Sequence, residues 1–508
     1  MSGLVTRRPA LTVFVLALAA RLTAVLLSKG GPLGSTGYDG GVYYAAADAL
    51  TFGRLPYTDF VLLHPPGLML ALTPFAAVGR LTSDHVGFVA ANMCAAALGA
   101  LDAALVVIIA RRLRLPRHAQ LVGGCFYALW QGAIAAELGI RLEPLGSVLF
   151  LIALLLFLSS ADGTRRRLLV GAGIALGAAV SVKIWWVVPA LALVVWPAIA
   201  RRDRRASALI AAGCAAALVV IDGPFALLTR VRMWDMIVVD QLGRTRQGSV
   251  LSRLDSLSSI SVLGLPASSA AGVILLGVTL VAASTVVVSA WTLPAMRPVV
   301  VVAVAQLVVL LAVPTFFGYY PDYLAASAAL VLAAAAGARA PSAPFRRVAA
   351  VVAITAVVAV GADTTGALTS GRVSGTVPFP GTELAEGVEH VHCLMADAPI
   401  ALIEVDALSR DFAHRCADWV DVTGRTYGID RAPGDLSRSA NRRWQTDIRR
   451  YLLSGNAVMI VRAETGLSPA TRDAITDEPV LESRDGQVVY AVMLPPERSA
   501  AEDGRHAT

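Results

Sequence analysis

The sequence predicts an all-α bundle of about eleven membrane-spanning helices, followed by a small soluble α/β domain. Hydrophobic residues make up 56% of the 508 residues and charged residues only 16%, whereas soluble domains average roughly 45–50% and about 25%. Residues 1–362 contain 28 Arg or Lys and 14 Asp or Glu, net +14, and residues 363–508 contain 15 and 22, net −7. We therefore predict a transmembrane domain over residues 1–362 and a soluble domain over residues 363–508, which excludes an ordinary soluble enzyme.

Eleven apolar stretches in the first domain are candidates for membrane spans, since about 20 apolar residues cross a bilayer. The first stretch has the basic start of a signal peptide, but ten further stretches favour a retained anchor. The stretches cover residues 9–28, 86–110, 118–137, 144–160, 168–182, 184–200, 206–224, 262–290, 298–313, 322–338 and 348–362.

Arginine clusters between the stretches indicate the orientation, because short cytoplasmic loops are enriched in Lys and Arg. A cytoplasmic N-terminus puts every cluster on the cytoplasmic side of a multi-pass protein in the cell membrane, with the soluble domain outside. Of the 14 acids in this domain, only Asp162 and Asp203 then lie in cytoplasmic loops, and Asp102 lies within a span. The other acids predict an outward-facing polar site. The basic clusters lie at residues 7–8, 111–117, 165–167, 201–205, 297 and 339–347.

Two long outer loops carry segments that we expect at the membrane surface. In the loop over residues 29–85, the apolar run 67–78 is too short to cross a bilayer. It follows Pro65 and Pro66, which suit a first helical turn, so we expect a juxtamembrane or re-entrant helix. The loop over residues 225–261 is amphipathic and basic, and we expect it to lie along the membrane.

The soluble domain has β-rich runs at residues 400–405, 457–461 and 487–493 and a polar helical stretch over residues 438–453. If it is extracytoplasmic, Cys393 and Cys416 can form a disulfide in that oxidising compartment; two unpaired thiols are the alternative. We expect this domain to bind a carbohydrate acceptor, although its aromatic residues are scattered along the sequence. They are Trp419, Tyr427, Trp444 and Tyr451.

Asp39 is the candidate general base. It lies in the segment YDGG over residues 38–41, just after the first apolar stretch, and the glycines allow a ligand to approach the backbone closely. A carboxylate in that position could take a proton from a hydroxyl group. The alternative is that Asp39 caps a helix starting near Val42.

Lys183 is one of only two lysines and lies between two apolar stretches, beside two tryptophans. A charge there is a functional hypothesis by default; snorkelling to the headgroups is the alternative. Arg141 and Glu143, in the outer turn before the fourth stretch, could pair with each other. They could instead bind a phosphate and orient a hydroxyl.

The remaining candidates belong to the same predicted outer face. A lone histidine before two prolines is also typical of plain loop hydrogen bonding, and the late outer turn FFGYYPDY could simply form an aromatic belt. Arg21 lies within the first span, and the sequence does not identify its partner. The candidate substrate contacts are Tyr38, Tyr43, Asp59, His64, Glu143, Tyr319, Tyr320 and Asp322.

Nucleotide-dependent and zinc-dependent functions are disfavoured, because no glycine-rich phosphate loop, P-loop, HExxH or paired CxxC motif occurs in a suitable context. We expect no required cofactor and no metal ligands; a divalent cation is compatible with the sequence but not indicated by it. The net charge of +7 does not indicate nucleic-acid binding, because the basic residues lie between apolar stretches instead of on a soluble face.

Together these motifs resemble those of the GT-C superfamily of polyprenyl-phosphate-sugar-dependent membrane glycosyltransferases, which includes protein O-mannosyltransferases and bacterial aminoarabinose transferases. The resemblance covers roughly residues 10–340 and rests on the acid after the first span, GRLPYTD, PPG, RLEP, the lysine ending the fifth span and the tyrosine-rich late loop. It departs from the superfamily in lacking a paired Asp-Asp motif and an oligosaccharyltransferase signature. The soluble domain resembles only the extracytoplasmic appendages of actinobacterial members.

The resemblance implies the site residues and the reaction. Asp39 would be the catalytic carboxylate, Lys183 and Arg141 would contact the lipid phosphate, and Tyr320 and Asp322 would contribute from the late loop. A hexosyl or pentosyl group would pass from a polyprenyl-phosphate donor to a cell-envelope glycan, lipid or protein in cell-wall biogenesis, by direct inverting displacement. A transporter and a non-catalytic cell-wall assembly factor are the alternatives.

Overall fold

The computed structural model describes residues 8–34, 37–160, 166–244, 246–258, 268–337, 344–370, 376–427 and 437–492. Some residues named above, Arg7, Asp162, Arg165, Arg339 and Met493, lie outside these ranges. The chain forms two compact units, each with its own packing. The first unit comprises Met1–Thr36, Leu63–Ala71 and Val89–Val377, and the second comprises Gly37–Leu62, Leu72–Phe88 and Pro378–Thr508.

The first unit is helical, as the apolar stretches predict. Short 3-10 turns at Gly31–Leu33, Ile184–Trp186 and Pro294–Met296 connect some of its helices, and a π-helical turn occupies Asp235–Val239. The helices are Pro9–Leu27, Asp84–Arg112, Arg117–Leu129, Gln131–Glu137, Leu142–Ser159, Arg166–Val182, Val187–Ala200, Arg204–Ile221, Gly223–Thr229, Val231–Trp234, Asp240–Leu242, Val250–Ser258, Ala270–Trp291, Arg297–Ala312, Asp322–Ala336 and Pro344–Thr369.

Seven helices within the described ranges are long and apolar enough to cross a membrane, so the chain is a multi-pass membrane protein, but the expected count of eleven spans is not confirmed. Further apolar helices are shorter than a full span. The last helix continues to Thr369, beyond the domain boundary expected after residue 362. The seven are Pro9–Leu27, Asp84–Arg112, Leu142–Ser159, Arg204–Ile221, Ala270–Trp291, Pro294–Ala312 and Pro344–Thr369.

One of the expected spans is interrupted where the backbone becomes extended. The break falls at Trp130, with φ −77° and ψ 122°, and divides the stretch 118–137 into two helices. A break at membrane depth leaves carbonyls without helical partners, which is costly in hydrocarbon. Here Arg21 Nη1 donates to Ala128 O at 2.9 Å, and the Thr364 hydroxyl donates to Leu129 O. Side chains from two other helices therefore stabilise the break.

Glycines allow helices Arg166–Val182 and Arg204–Ile221 to touch along their backbones. A Cβ at Gly173 would collide with Ile210 O, and one at Gly177 would collide with Cys214 O. From the other side, a Cβ at Gly213 would collide with Val170 O. The G-x-x-x-G spacing of Gly173 and Gly177 is a known contact motif of membrane helices, so this pair packs through small residues.

The second unit contains a four-stranded sheet in the order β1-β2-β4-β3, formed by Leu394–Ala396, Ala457–Met459, Gln487–Ala491 and Val480–Arg484. β1 pairs parallel to β2, whereas β4 is antiparallel to both β2 and β3. The runs at 457–461 and 487–493 thus contain strands as predicted. The helices of this unit are Tyr38–Thr51, Gly381–Val388, Pro399–Glu404, Leu408–Ala413, Arg442–Leu452 and Pro469–Thr476; Gly67–Leu81 and Asp84–Arg112 have residues in both units.

The strand predicted at residues 400–405 is wrong, because this segment is the helix Pro399–Glu404. All six residues are buried, so the pattern of the run cannot distinguish a buried strand from a buried helix. Pro399 in the first turn favours the helix. Close packing follows against helix Tyr38–Thr51, since a Cβ at Gly41 would lie 2.8 Å from Ile400 N.

The two cysteines of the soluble domain form a disulfide. Cys393 and Cys416 are joined with their Cα atoms 5.8 Å apart, which corresponds to the predicted pair and not to the alternative of two thiols. The other cysteines, Cys94, Cys125 and Cys214, are free. The bridge connects the approach to β1 with the segment after helix Leu408–Ala413.

Candidate functional site: a buried lysine at a helix break

Lys183 lies where helix Arg166–Val182 ends. Its backbone is extended, with φ −147° and ψ 126°, and a 3-10 turn begins at Ile184. The residue is only 2% exposed, so the snorkelling alternative is wrong. The break turns the ammonium group into the bundle instead of along the helix surface.

An acid and two aromatic rings surround the ammonium group. Lys183 Nζ lies 2.5 Å from Glu143 Oε1, and it lies 3.7 Å from the ring centre of Trp185 and 4.2 Å from that of Tyr320. An aromatic face attracts a cation more strongly when water is excluded. We call Lys183, Glu143, Trp185 and Tyr320 the lysine cluster.

Glu143 keeps acceptor capacity in the lysine cluster. It stands in the first turn of helix Leu142–Ser159 and is 1% exposed. Its Oε2 is buried and has no hydrogen-bond partner within the described part of the chain. An unsatisfied buried oxygen costs about 1–3 kcal/mol, so a ligand hydroxyl that donated to Oε2 would remove this cost.

Arg141 interacts with an aromatic ring of the late loop. Its guanidinium lies 4.5 Å from the ring centre of Tyr319. The alternative in which Arg141 and Glu143 pair with each other is wrong, because Glu143 pairs with Lys183. Arg141 thus adds a second positive charge beside the tyrosine-rich turn that provides Tyr320.

His64 lies near Lys183. A Cβ at Gly67 would lie 2.5 Å from Ser181 O, so the start of helix Gly67–Leu81 packs closely against the end of the helix before Lys183. Desolvation, together with the positive charges of Lys183 and Arg244, holds the pKa of His64 well below its ordinary value. His64 is therefore a neutral hydrogen-bonding group at physiological pH.

Asp322 belongs to a second buried cluster, and its contact with substrate stays a prediction. Its side chain is 0% exposed. Tyr127 Oη lies 3.1 Å from Asp322 Oδ1, 3.2 Å from Asp102 Oδ2 and 2.9 Å from Glu137 Oε1. Glu137 in turn accepts from Arg21 Nε. We call these five residues the tyrosine cluster.

The geometry of the tyrosine cluster determines where its protons are. Three carboxyl oxygens surround one phenol oxygen, and the phenol has a single proton to donate. The other two contacts therefore need protons from the carboxyl groups. We expect Glu137 to be ionised, because it faces Arg21, and Asp102 and Asp322 to be neutral carboxylic acids that donate to Tyr127. The cluster would then have no net charge, which suits a bundle interior.

The sequence offered a signal for the tyrosine cluster that reasoning from the loops missed. Asp102 and Arg21 are charges inside apolar stretches, and such residues pair with one another. The partner of Arg21 is Glu137, which we had placed at the outer surface. A Cβ at Gly99 would collide with the Glu137 carboxylate, so this glycine provides the space for the buried acid.

Asp39 lies in the second unit, within a helix. The helix begins at Tyr38 with Gly37 as its N-cap residue, so the alternative in which Asp39 caps a helix near Val42 is wrong. Asp39 is in the first turn, where exposed peptide N–H groups favour a negative charge. It is partly exposed, and its role as base remains a prediction.

The other candidates of the second unit have structural partners. Tyr38 Oη donates to Asp421 Oδ1 at 2.8 Å and accepts from Thr423 N. Asp59 Oδ2 accepts from Leu55 N at 2.6 Å and so closes its own loop. Tyr43 is buried at 8% exposure. Substrate contacts for these three stay predictions.

The aromatic residues proposed to bind carbohydrate in the soluble domain mostly form its core. Trp444 is fully buried and Tyr451 is 4% exposed. Trp419 stacks on Tyr451 with ring centres 4.5 Å apart, and Arg425 lies 3.9 Å from the Trp419 ring centre. Since Trp419 is stacked in this way, it does not offer an open platform for a sugar.

Comparison with known proteins assigns the fold. No known family profile matches the sequence, and no curated protein matches it. Among solved structures, the chain resembles ArnT from Cupriavidus metallidurans in the apo state, with TM-score 0.59 and 17% identity over 95% of this chain and 97% of that chain. The same protein bound to undecaprenyl phosphate gives TM-score 0.56 and 17% identity over 96% and 98%.

A second, more distant likeness is to the archaeal oligosaccharyltransferase AglB from Archaeoglobus fulgidus, in complex with an inhibitory peptide and a dolichol-phosphate. It has TM-score 0.50 and 16% identity over 80% of this chain and 64% of that chain. The chain therefore has the GT-C fold that the sequence predicts. At these identities the likeness defines the fold alone.

Proposed function

We propose that the protein is a membrane glycosyltransferase that takes a sugar from a polyprenyl-phosphate donor. The observation that carries this proposal is the lysine cluster, a buried ammonium group in a helical membrane bundle. Its support comes from the matching fold of ArnT, which has been determined with undecaprenyl phosphate bound. The lysine cluster has the chemistry to hold a lipid phosphate.

In this proposal Lys183 binds the phosphate of the donor and Glu143 binds its sugar. Lysine has three donors, so its ammonium group can hold Glu143 and a phosphate oxygen together. Arg141 adds a further cation nearby. Glu143 Oε2, buried without a partner in the described residues, accepts a hydroxyl of the sugar. Charge that develops on the departing phosphate is stabilised by these cations without rearrangement.

The reaction needs one base and no cofactor step. The acceptor hydroxyl attacks the anomeric carbon, the bond from that carbon to the phosphate oxygen breaks, and the phosphate leaves with the electron pair. Direct attack inverts the anomeric centre. We assign Asp39 as the carboxylate that takes the hydroxyl proton, a contribution of about 10²–10⁴-fold.

The proposed orientation follows from the basic loops. The arginine-rich helix ends face the cytoplasm, and transfer takes place on the extracytoplasmic face, to a glycan, lipid or protein of the cell envelope. The disulfide between Cys393 and Cys416 agrees with an oxidising compartment for the soluble domain.

Binding of undecaprenyl phosphate to the purified protein tests the donor site. Lys183→Met combined with Glu143→Gln removes both charges, so that no unpaired charge remains buried. We expect at least about tenfold weaker binding, since a hydrogen bond to a charged group is worth about 1.5–3 kcal/mol. Lys29→Met is the matched control, because Lys29 is the other lysine and is exposed. Equal affinity of the double variant and the control would contradict the proposal.

A further inference from the structure

A pocket opens at the end of the first unit that carries the arginine-rich loops. It has a volume of about 200 Å³ and lies where several helices end. Its walls combine two kinds of side chain, basic and large apolar. They include Arg112, Arg114, Arg201, Phe157, Leu158 and Trp196.

The basic side of this pocket is suited to an anion. Three guanidinium groups line it, and none of its lining residues within the described ranges is acidic. Arg112 Nε donates to Ser159 Oγ at 3.2 Å, which occupies one of the five donors of its guanidinium.

Arg114 lies just beyond the end of a helix, in a left-handed backbone conformation that Arg202, Arg230 and Arg415 also adopt. The helix Asp84–Arg112 ends in a left-handed turn at Arg114, with φ +57°. Glycine or asparagine normally occupies such a position at a helix end, because a side chain there is strained. An arginine that accepts this strain is placed at the wall of the pocket instead of continuing along the helix.

The apolar side of the pocket distinguishes a lipid from a free anion. Phe157 and Leu158 are the last turn of a span, and Trp196 is near the end of another helix, so this wall lies at the level of the membrane interface. A tryptophan at that level is typical of contact with lipid. A free phosphate would need only the arginines, whereas the apolar wall fits the glycerol backbone and acyl chains.

This pocket is distinct from the lysine cluster. Both share helix Leu142–Ser159, whose first turn carries Glu143 and whose last turn carries Phe157. At 1.5 Å per residue, these positions are about 20 Å apart along the helix axis. We call the pocket lined by Arg112, Arg114 and Arg201 the arginine pocket. It and the lysine cluster therefore lie at opposite ends of the same helix.

We propose that the arginine pocket binds the phosphoryl headgroup of an anionic membrane phospholipid. Basic pockets between membrane helices are suited to such headgroups, and each arginine near the surface contributes about 1 kcal/mol, or about fivefold in affinity. The bound lipid joins the ends of several helices through one shared anion. Neutral lipids lack the net charge that three guanidinium groups require.

Native mass spectrometry of the full-length protein, with phosphatidylglycerol or phosphatidylcholine added in detergent, tests this proposal. We expect preferential retention of phosphatidylglycerol. Arg112→Gln, Arg114→Gln and Arg201→Gln together should weaken retention at least tenfold, and Arg112→Gln alone, which tests the site if the triple variant fails to fold, about fivefold. Arg166→Gln, Arg204→Gln and Arg205→Gln form the matched control, because these arginines are exposed and do not line the pocket.

Three outcomes would overturn the proposal. Equal retention of both lipids by the wild type would exclude recognition of the headgroup charge. If the pocket and control variants lost phosphatidylglycerol equally, the lipid would be held by diffuse surface charge and not by the pocket. Saturable binding of millimolar inorganic phosphate, lost in the pocket variants and not displaced by phosphatidylglycerol, would assign the pocket to a free anion.

Discussion

At the scale of single residues, the two buried clusters differ in how they satisfy charge. Lys183 faces one carboxylate and two aromatic rings, and Glu143 retains an oxygen without a partner among the described residues. The tyrosine cluster instead satisfies one arginine with one carboxylate and keeps two acids neutral. The lysine cluster can therefore accept a ligand, whereas the tyrosine cluster stabilises the helical bundle.

Substitutions in the tyrosine cluster test where its protons are. Arg21→Met leaves the Glu137 carboxylate buried and unpaired, so we expect a loss of about 3–5 kcal/mol, and adding Glu137→Gln should restore much of it. Asp102→Asn and Asp322→Asn are the matched variants, because an amide N–H can donate to Tyr127 as a neutral acid does. Thermal unfolding in detergent should place both within about 1 kcal/mol of the wild type. A cost for either that equals that of Arg21→Met would mean that both acids are ionised.

At the scale of elements, the interruptions of the helices position the sites. The break at Lys183 turns the ammonium group inward, and the break at Trp130 brings Glu137 to Arg21. Hydropathy predicts where apolar helices lie but not where one is interrupted, because an interruption depends on side chains from distant helices. Arg21 and Thr364, which bind the freed carbonyls, are 107 and 235 residues from their acceptors.

The hydroxyl of Thr364 should stabilise the break at Trp130. Thr364→Val keeps the shape of the side chain but leaves the Leu129 carbonyl buried without its donor, so we expect a loss of about 1–3 kcal/mol. Thr365→Val is the matched control, because Thr365 is exposed and its hydroxyl donates to Gly361 O within its own helix. Chemical unfolding of both variants measures the difference, and equal stability would show that the break does not depend on Thr364.

At the scale of the whole molecule, composition and charge predicted the membrane bundle and the separate second unit, whereas the GT-C fold was implied by the resemblance of the loop motifs to that superfamily. The juxtamembrane helix expected over residues 67–78 is present as Gly67–Leu81. The placement of single side chains was less predictable. Asp322 and Tyr38 have partners far away in the sequence that only the tertiary packing reveals, whereas Asp59 accepts a hydrogen bond within its own loop.

The second unit should be more stable at acidic pH. Burial, together with the charge of Asp418, raises the pKa of Asp411 to about 8, and burial raises the pKa of Asp418 to about 7. Between about pH 4 and pH 8 the folded state thus holds more protons than the unfolded state, so stability falls as the pH rises. Thermal unfolding of the full chain should show a lower transition temperature at pH 8 than at pH 5.5.

Substitution of Asp418 measures its share of this pH dependence, to which Asp48 and Asp397, whose pKa values are also raised, contribute as well. Asp418→Asn should flatten the slope, because the amide needs no proton to remain neutral. Asp473→Asn should leave it unchanged, since Asp473 is exposed. A transition temperature that rose with pH, or equal slopes for both variants, would contradict the assignment.

The most direct test of the central claim is transfer of a radiolabelled sugar from a polyprenyl-phosphate donor by the purified protein in proteoliposomes. The account predicts transfer by the wild type to an envelope acceptor, and loss of at least about 10²-fold in Asp39→Ala with unchanged folding. It also predicts strong loss in the Lys183→Met and Glu143→Gln double variant but not in Lys29→Met. Uptake of the donor into sealed vesicles without any transfer, or full turnover by folded Asp39→Ala, would contradict it.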